Sequence, residues 1–286
     1  MRTIGQSASV FSCLVLAAWA MLFVASSAGR AEEVRKIEDN SFLIEEAYNQ
    51  EPGVIQHIQS FQYMRDKQWA YTFVQEWPVP GRTHQFSYNI PVFRLDVEDE
   101  GRTTGFGDVQ LNYRYQLVDK KDFVAIAPRL SLILPTGDHR EDFGRGALGY
   151  QTNIPVSLTL ADKWVNHWNA GMTFTPNARG PAEGRRDTLD FNAGTSVIYL
   201  LAEKFNLLLE AVWNAPQSVD EGSREHSLFI NPGFRFALDF DSGLQIVPGI
   251  GFPIGVGNSS GEYGVFFYLS FEHPFPRLYG KQSVSP

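Results

Sequence analysis

The sequence predicts an all-β fold: a transmembrane antiparallel up-and-down β-barrel of 12 strands behind a short N-terminal segment that lies in the periplasm or plugs the barrel. Three observations predict it. Residues 105–118, GFGDVQLNYRYQLV, place Val109, Leu111, Tyr113, Tyr115 and Leu117 on one side and Asp108, Gln110, Asn112, Arg114 and Gln116 on the other. A period of two sends such sets to opposite faces of a strand. Eleven further segments from Gly53 onward run about ten to fifteen residues. A tilted transmembrane strand needs about nine to eleven residues, whereas soluble strands average about five or six. The connections, finally, alternate between short and long, as they do between the periplasmic and external ends of an outer-membrane barrel.

The chain opens with Arg2, an apolar run from Val10 to Val24, and small residues through Ala31. That is the order of a secretory signal peptide cleaved after Ala28 or Ala31. About fifteen apolar residues fall short of the roughly 20 of a membrane-spanning helix. Removal of residues 1–31 takes away Cys13, the only cysteine, so neither a disulfide nor a cysteine metal site is expected in the mature chain. It also leaves 22 basic residues against 32 acidic ones, a net charge of −10. Nucleic-acid binding rests on clustered Lys and Arg, and no such partner is expected. Membrane residence would have to use strands, because only helices and closed barrels satisfy their backbone groups in lipid.

Residues 32–52 are charged at first and then carry Phe42, Leu43, Ile44, Ala47 and Tyr48 at helical spacing behind the potential caps Asp39, Asn40 and Ser41. A short periplasmic helix or a small plug in the barrel mouth both fit. Residues 53–275 form the barrel, with strands expected at 53–64, 68–79, 84–97, 105–118, 123–135, 149–160, 164–176, 187–201, 205–216, 226–239, 243–254 and 262–275. Tight turns follow the fourth, sixth, eighth and tenth at Asp119 to Asp122, Ala161 to Lys163, Ala202 to Lys204 and Asp241-Ser242. Long polar loops are expected at 98–104, 136–148, 177–186, 214–225 and 255–261, while Arg65-Asp66-Lys67 is short where a long loop is due. Trp69 and Trp77 share one face of the second strand; at ~3.3 Å per residue and a tilt near 40° they are roughly 20 Å apart along the membrane normal, close to the spacing of two aromatic girdles. Tyr263, Val265, Phe267, Leu269, Phe271, His273 and Phe275 alternate with Tyr268, Ser270 and Glu272. This resembles the C-terminal strand by which the barrel-assembly machinery recognises its clients, followed here by a tail, 276–286.

With the polar faces inward, the lumen would carry Asp108, Gln110, Asn112, Arg114, Arg129, Ser131, Asn153, His167, Asn169, Asp190, Asn192, Glu210, Asn231, Arg235 and Glu272. Buried charges must be paired or hydrated. Both a cross-barrel network that narrows the lumen and a set of groups lining a conduction path satisfy that need. None of the six histidines sits in a motif with a serine and an acid, so no catalytic residue is assigned. The loop Asp138 to Asp142 carries carboxylates, but Arg140 interrupts it and no metal site is assigned. The glycine-rich stretches 105–108, 144–149 and 248–257 lack the Lys-Ser/Thr ending of a phosphate loop and open no helix. They read as bends, rims and close strand contacts, and no cofactor is expected.

The strand GFGDVQLNYRYQL, the strand-to-loop LILPTGD at 132–138 and GYQTNIPVSL at 149–158 resemble the outer-membrane barrel family labelled after the meta-pathway of phenol degradation. That family is similar in turn to the long-chain fatty-acid channels. The resemblance covers about residues 40–275. It implies a Gram-negative cell outer membrane location, lipid as the surroundings and small hydrophobic or aromatic compounds as cargo, and it supplies no catalytic residues. About twenty residues before the first strand are too few for the full hatch of the fatty-acid channels. Three other readings remain: a lipid-acting outer-membrane hydrolase, a phospholipase or deacylase, which needs a Ser and a His within hydrogen-bond reach; a structural envelope barrel; and a soluble periplasmic binding protein with a lipocalin-like barrel, which requires the apolar faces to pack inward.

Overall fold

The computed structural model describes residues 40–79, 81–97, 101–119 and 123–274. The expected signal peptide, residues 32–39, Phe275 and the tail 276–286 lie outside the described residues.

Twelve strands close into one antiparallel barrel. They are β1 (Val54–Met64), β2 (Trp69–Pro78), β3 (His84–Val97), β4 (Gly101–Phe106 and Val109–Tyr115), β5 (Val124–Ile126 and Arg129–Leu134), β6 (Gly149–Asn153 and Val156–Ala161), β7 (Trp164–Arg179), β8 (Arg185–Ala202), β9 (Phe205–Ala215), β10 (Ser227–Phe236 and Leu238–Asp239), β11 (Gln245–Gly251 and Ile254–Gly255) and β12 (Gly264–Pro274). Each pairs with its sequence neighbour. β1 then pairs with β12 from Val54↔Pro274 to Met64↔Gly264, which leaves no free edge. β5, β6 and β11 are interrupted at Pro128, Pro155 and Pro253, where a residue without an N–H cannot continue the ladder.

The exposed surface settles which face meets lipid. Leu111, Leu130, Leu132, Trp168, Leu209 and Phe267 are each between 44% and 59% exposed on the outside, while Arg114, His167, Glu210 and Arg235 are at most 4% exposed inside. A soluble barrel would carry the opposite arrangement. Ring contacts gather near the strand ends on the outer face, Trp164 against Tyr199 at 4.7 Å, Trp77 against Tyr88 at 5.4 Å and Trp213 against His226 at 5.7 Å. These are the placements of the aromatic girdles.

The structure differs from expectation in four places. β4 begins at Gly101, because Gly101–Phe106 pairs with Val92–Val97; a hairpin whose Gly101 has φ +75° replaces the long loop expected at 98–104. β4 also ends at Tyr115, and beyond it only an isolated bridge joins Val118 to Ile126. β7 and β8 run on to Arg179 and from Arg185, past a register shift between Thr175 and Ala178, so their external loop is shorter than 177–186. Finally, the helix that the spacing of 32–52 permits is not formed in its described part: residues 40–52 carry bends and a turn only.

Candidate functional site: the plugged lumen

Residues 40–50 run through the barrel at the short-turn end, and the wall takes the hydrogen bonds a helix would have made internally. Glu210 on β9 is fully buried, and its Oε1 accepts the backbone N–H groups of Phe42, Leu43 and Ile44 at 3.0, 2.8 and 3.1 Å. Three successive donors turned on one carboxylate cannot also point along a helix axis. Asn169 on β7 binds residue 45 reciprocally, accepting the Glu45 N–H and donating to its carbonyl, both at 2.8 Å. Ser157, Gln116 and Gln85 accept the N–H groups of Ala47, Asn49 and Gln50 at 2.8, 2.9 and 2.7 Å. The Asn49 side chain donates to the carbonyl of Arg82 in the β2–β3 turn. The plug therefore crosses from β9 past β7, β6 and β4 to β3 before β1 begins.

Its apolar side chains seat against inward glycines. Phe42 packs on Phe266 and Tyr268 with ring centroids 5.5 and 5.3 Å away. A Cβ at Gly249 would stand 2.6 Å from the Phe42 ring, one at Gly233 2.7 Å from it, and one at Gly194 2.4 Å from Ile44 Cδ1. Ala47 and Tyr48 form a small cluster with Ala125 and Ala127. The fit marks the plug as a built part of the wall's interior rather than a loose terminus.

Both lumen arginines of the early strands are held by this plug. Arg114 donates through Nε to Asn49 Oδ1 at 2.9 Å, through Nη1 to the Glu46 carbonyl at 3.2 Å and through Nη2 to the Tyr48 carbonyl. Arg129 bonds Asn112 and Gln151 and pairs with Glu45 at 3.0 Å. Glu46 lies 4.0 Å from Arg114 Nη1. Burial raises its carboxyl from 4.5 to about 7, with Arg114 opposing and Glu76 adding repulsion. Beside the plug, against β1–β5, a cavity of about 240 Å³ remains, lined by Asn40, Phe42, Leu43, Glu45, Glu46, Ile58, Ser60, Thr72, Val74, Glu76, Ser87, Asn89, Arg114, Arg129 and Tyr268 among others.

The remaining expected lumen residues divide by height. Gln110 accepts from Asn89 at 3.0 Å. Asn112 donates to Ser87 and Asn89, Asn153 to Asn169 at 3.3 Å, Asn231 to Glu210 at 2.7 Å, and Glu272 accepts from Gln56 at 2.9 Å. Asn192 is half-buried opposite Gly171, and Ser131 and Arg235 are buried. Asp108 and Asp190, on the same parity as the other expected lumen residues of their strands, are bound to the outer loops. Asp108 accepts the N–H groups of Gly137 and Arg145 at 2.9 and 2.8 Å, and Thr136 Oγ1 bonds Gly107 and Val109. The GFGD and LPTGD stretches thus clasp one another. Asp190 accepts from the Gln217 N–H at 2.7 Å and pairs with Arg145 at 3.7 Å. His167 is fully buried, 2.7 Å from Ser157 Oγ through Nδ1, with Tyr48 edge-on at 5.9 Å.

Sequence reasoning placed Gln116 and Tyr268 on the inward faces without assigning them a role, and it missed Glu76, Gln85, Ser157 and Ser196 as inward groups. Glu76 was recoverable. Trp69 and Trp77 already face lipid, so parity along β2 sends Glu76 inside, although Ala70 and Val74 blur the polar face.

The sequence pattern of the family described as "Putative MetA-pathway of phenol degradation" matches residues 65–269. Among solved structures, an outer membrane channel from Pseudomonas putida F1 is similar at TM-score 0.61 and 14% identity, over 85% of this chain and 100% of that one. The NanC porin is similar at TM-score 0.52 and 9% identity, over 77% and 100%. The CymD monoaromatic hydrocarbon channel gives TM-score 0.41 and 8% identity, over 79% and 89%. No protein of curated function matches the chain.

Proposed function

The chain belongs to the family described as putative MetA-pathway of phenol degradation, and from that membership and the barrel's interior we propose that it is an outer-membrane channel for small hydrophobic or aromatic compounds. The cavity beside the plug carries this reading: the lumen is not filled from wall to wall, and Phe42, Leu43, Ile58, Val74 and Tyr268 give the space apolar sides. Twelve strands lie between the roughly eight whose interior side chains fill and the roughly 16–18 that leave an aqueous channel, and residues 40–50 occupy part of this lumen, so passage is narrow and selective. The plug is its periplasmic restriction, because the short-turn end of an outer-membrane barrel faces the periplasm. The C-terminal strand is the segment offered to the barrel-assembly machinery, and the signal peptide delivers the chain to it.

Liposome uptake of labelled aromatics, paired with recordings in planar bilayers, tests the proposal. Uptake with small conductance steps is expected. Silence in both assays, from a barrel that still shifts on heating in gels, would leave a structural envelope barrel. The hydrolase reading has one observation in its favour, the 2.7 Å contact between Ser157 and His167. Against it, Ser157 Oγ accepts the Ala47 N–H and the residue is 1% exposed beneath the plug, so no substrate carbonyl can approach. Ester or phospholipid cleavage lost in Ser157→Ala would revive it.

A further inference from the structure

The cavity beside the plug is unequal in its hydrogen-bonding groups. Its donors are largely committed. All three nitrogens of Arg114 bond the plug, both Nη atoms of Arg129 bond Asn112, Gln151 and Glu45, and Gln85 donates to Glu76. Asn112 donates to Ser87 and Asn89, and Asn89 to Gln110. Among the charged and amide side chains one donor is without a partner, Arg129 Nε; the Ser60 and Thr72 hydroxyls of the lining can each donate or accept.

The acceptors are in surplus. Asn40 is 4% exposed, and its Oδ1 has no partner. Glu45 Oε2 is likewise buried and unpartnered. The Glu46 carboxyl stands 4.0 Å from the nearest guanidinium nitrogen, beyond hydrogen-bond length, and is met by its own backbone N–H; Glu76 receives one bond, from Gln85. Three carboxyl groups thus face two arginines whose forks are already engaged. Buried acceptors without donors cost free energy, and a ligand that brings donors removes that cost, whereas one that brings acceptors adds to it.

We propose that this cavity is a binding site for small organic ammonium ions, an N–H group turned to Asn40, Glu45, Glu46 and Glu76 and an apolar body against Ile58 and Val74, and that it rejects carboxylates of the same shape. The proposal deepens the reading of the barrel as a small-molecule channel, yet binding itself needs only the cavity. A neutral hydroxyl compound supplies one donor and no charge, and ranks between the two.

Three ring-matched probes test it on the full-length barrel in a maltoside micelle: benzylammonium, benzyl alcohol and benzoate, titrated by isothermal calorimetry with heat-denatured protein as the partition control. Benzylammonium is expected to bind at least about tenfold tighter than benzoate, a ratio of the size that one charge-assisted hydrogen bond provides. Glu76→Gln and Asn40→Ala should each weaken benzylammonium several-fold and leave benzoate unchanged. Heat-modifiable gel mobility reports whether each variant remains a folded barrel, and Glu45→Gln stands in if one does not. Equal or tighter benzoate binding, no binding of any probe, or benzylammonium binding untouched by these variants would overturn the proposal. Selective binding in a barrel that passes neither ions nor aromatics would refute the channel reading and leave the site standing.

Discussion

The plug carries an acid whose protonation reports whether it is docked. Glu46 belongs to residues 40–50 and not to a strand, and its carboxyl moves from 4.5 to about 7, first through burial, with partial relief from Arg114 and added repulsion from Glu76. Released into water, the same carboxyl returns to its ordinary value. Docking therefore favours the protonated form. Its contribution is fully present below about pH 4.5 and is lost as pH rises toward 7. A shift of this size at ~1.4 kcal/mol per unit is worth about 3 kcal/mol, or roughly two orders of magnitude in the docked population. That figure is a ceiling, since the side chain keeps 13% of its surface open to the lumen. Amide hydrogen exchange of residues 42–50, corrected for intrinsic rates, measures it. Wild type should lose protection between pH 5 and pH 8, by up to about a hundredfold, while Glu46→Gln should remain protected and flat across that range. The same slope in both proteins would refute the argument, because the pH dependence would then belong to another group.

Three further outcomes follow from contacts. Glu210→Ala removes the acceptor of the Phe42, Leu43 and Ile44 N–H groups; at about 1.5–3 kcal/mol per hydrogen bond to a charged group the plug should undock, raising exchange at 42–44 and the open probability in bilayers. Glu210→Gln keeps an oxygen there and should do less. Gly249→Val places a side chain where the Phe42 ring stands 2.6 Å from a Cβ, so it should expel that ring and raise conductance, with the docked state recovered in part by Phe42→Ala in the same chain. Asp108→Ala removes the acceptor for Gly137 and Arg145; limited proteolysis should cut faster between 137 and 145 while the barrel keeps its heat-modifiable mobility.

The strands were legible because a barrel wall has one rule, parity, and parity is a property of neighbours in sequence. Leu111 and Arg114 reveal their faces within a few residues of each other. Height along the barrel is not written so locally. Asp108 and Arg114 share parity, yet Asp108 stands where GFGD meets the external loop and clasps Gly137 and Arg145, while Arg114 lies three inward positions further along and holds the plug. Only the girdles fix height, and β4 has no tryptophan to mark it.

The plug was hidden for a different reason. Phe42, Leu43, Ile44, Ala47 and Tyr48 have a helical spacing, and what defeats the helix is Glu210, 166 to 168 positions away in the chain. A competing acceptor at that range leaves no mark on the local pattern. The wall did carry a mark, however, in the inward glycines. Gly194, Gly233 and Gly249 occupy positions of lumen parity, where β8, β10 and β11 could have placed any polar side chain. Glycine weakens a strand through lost packing and backbone entropy, so a run of them on the inner face has to be offset by whatever approaches. Here Phe42 and Ile44 occupy the space those side chains would have filled. Three inward glycines on nearby strands, together with an apolar segment before β1, are a signature of an occupied lumen that parity alone can locate, and on the β1–β5 side, where Ser60, Thr72, Ser87 and Asn89 replace them, the lumen stays open.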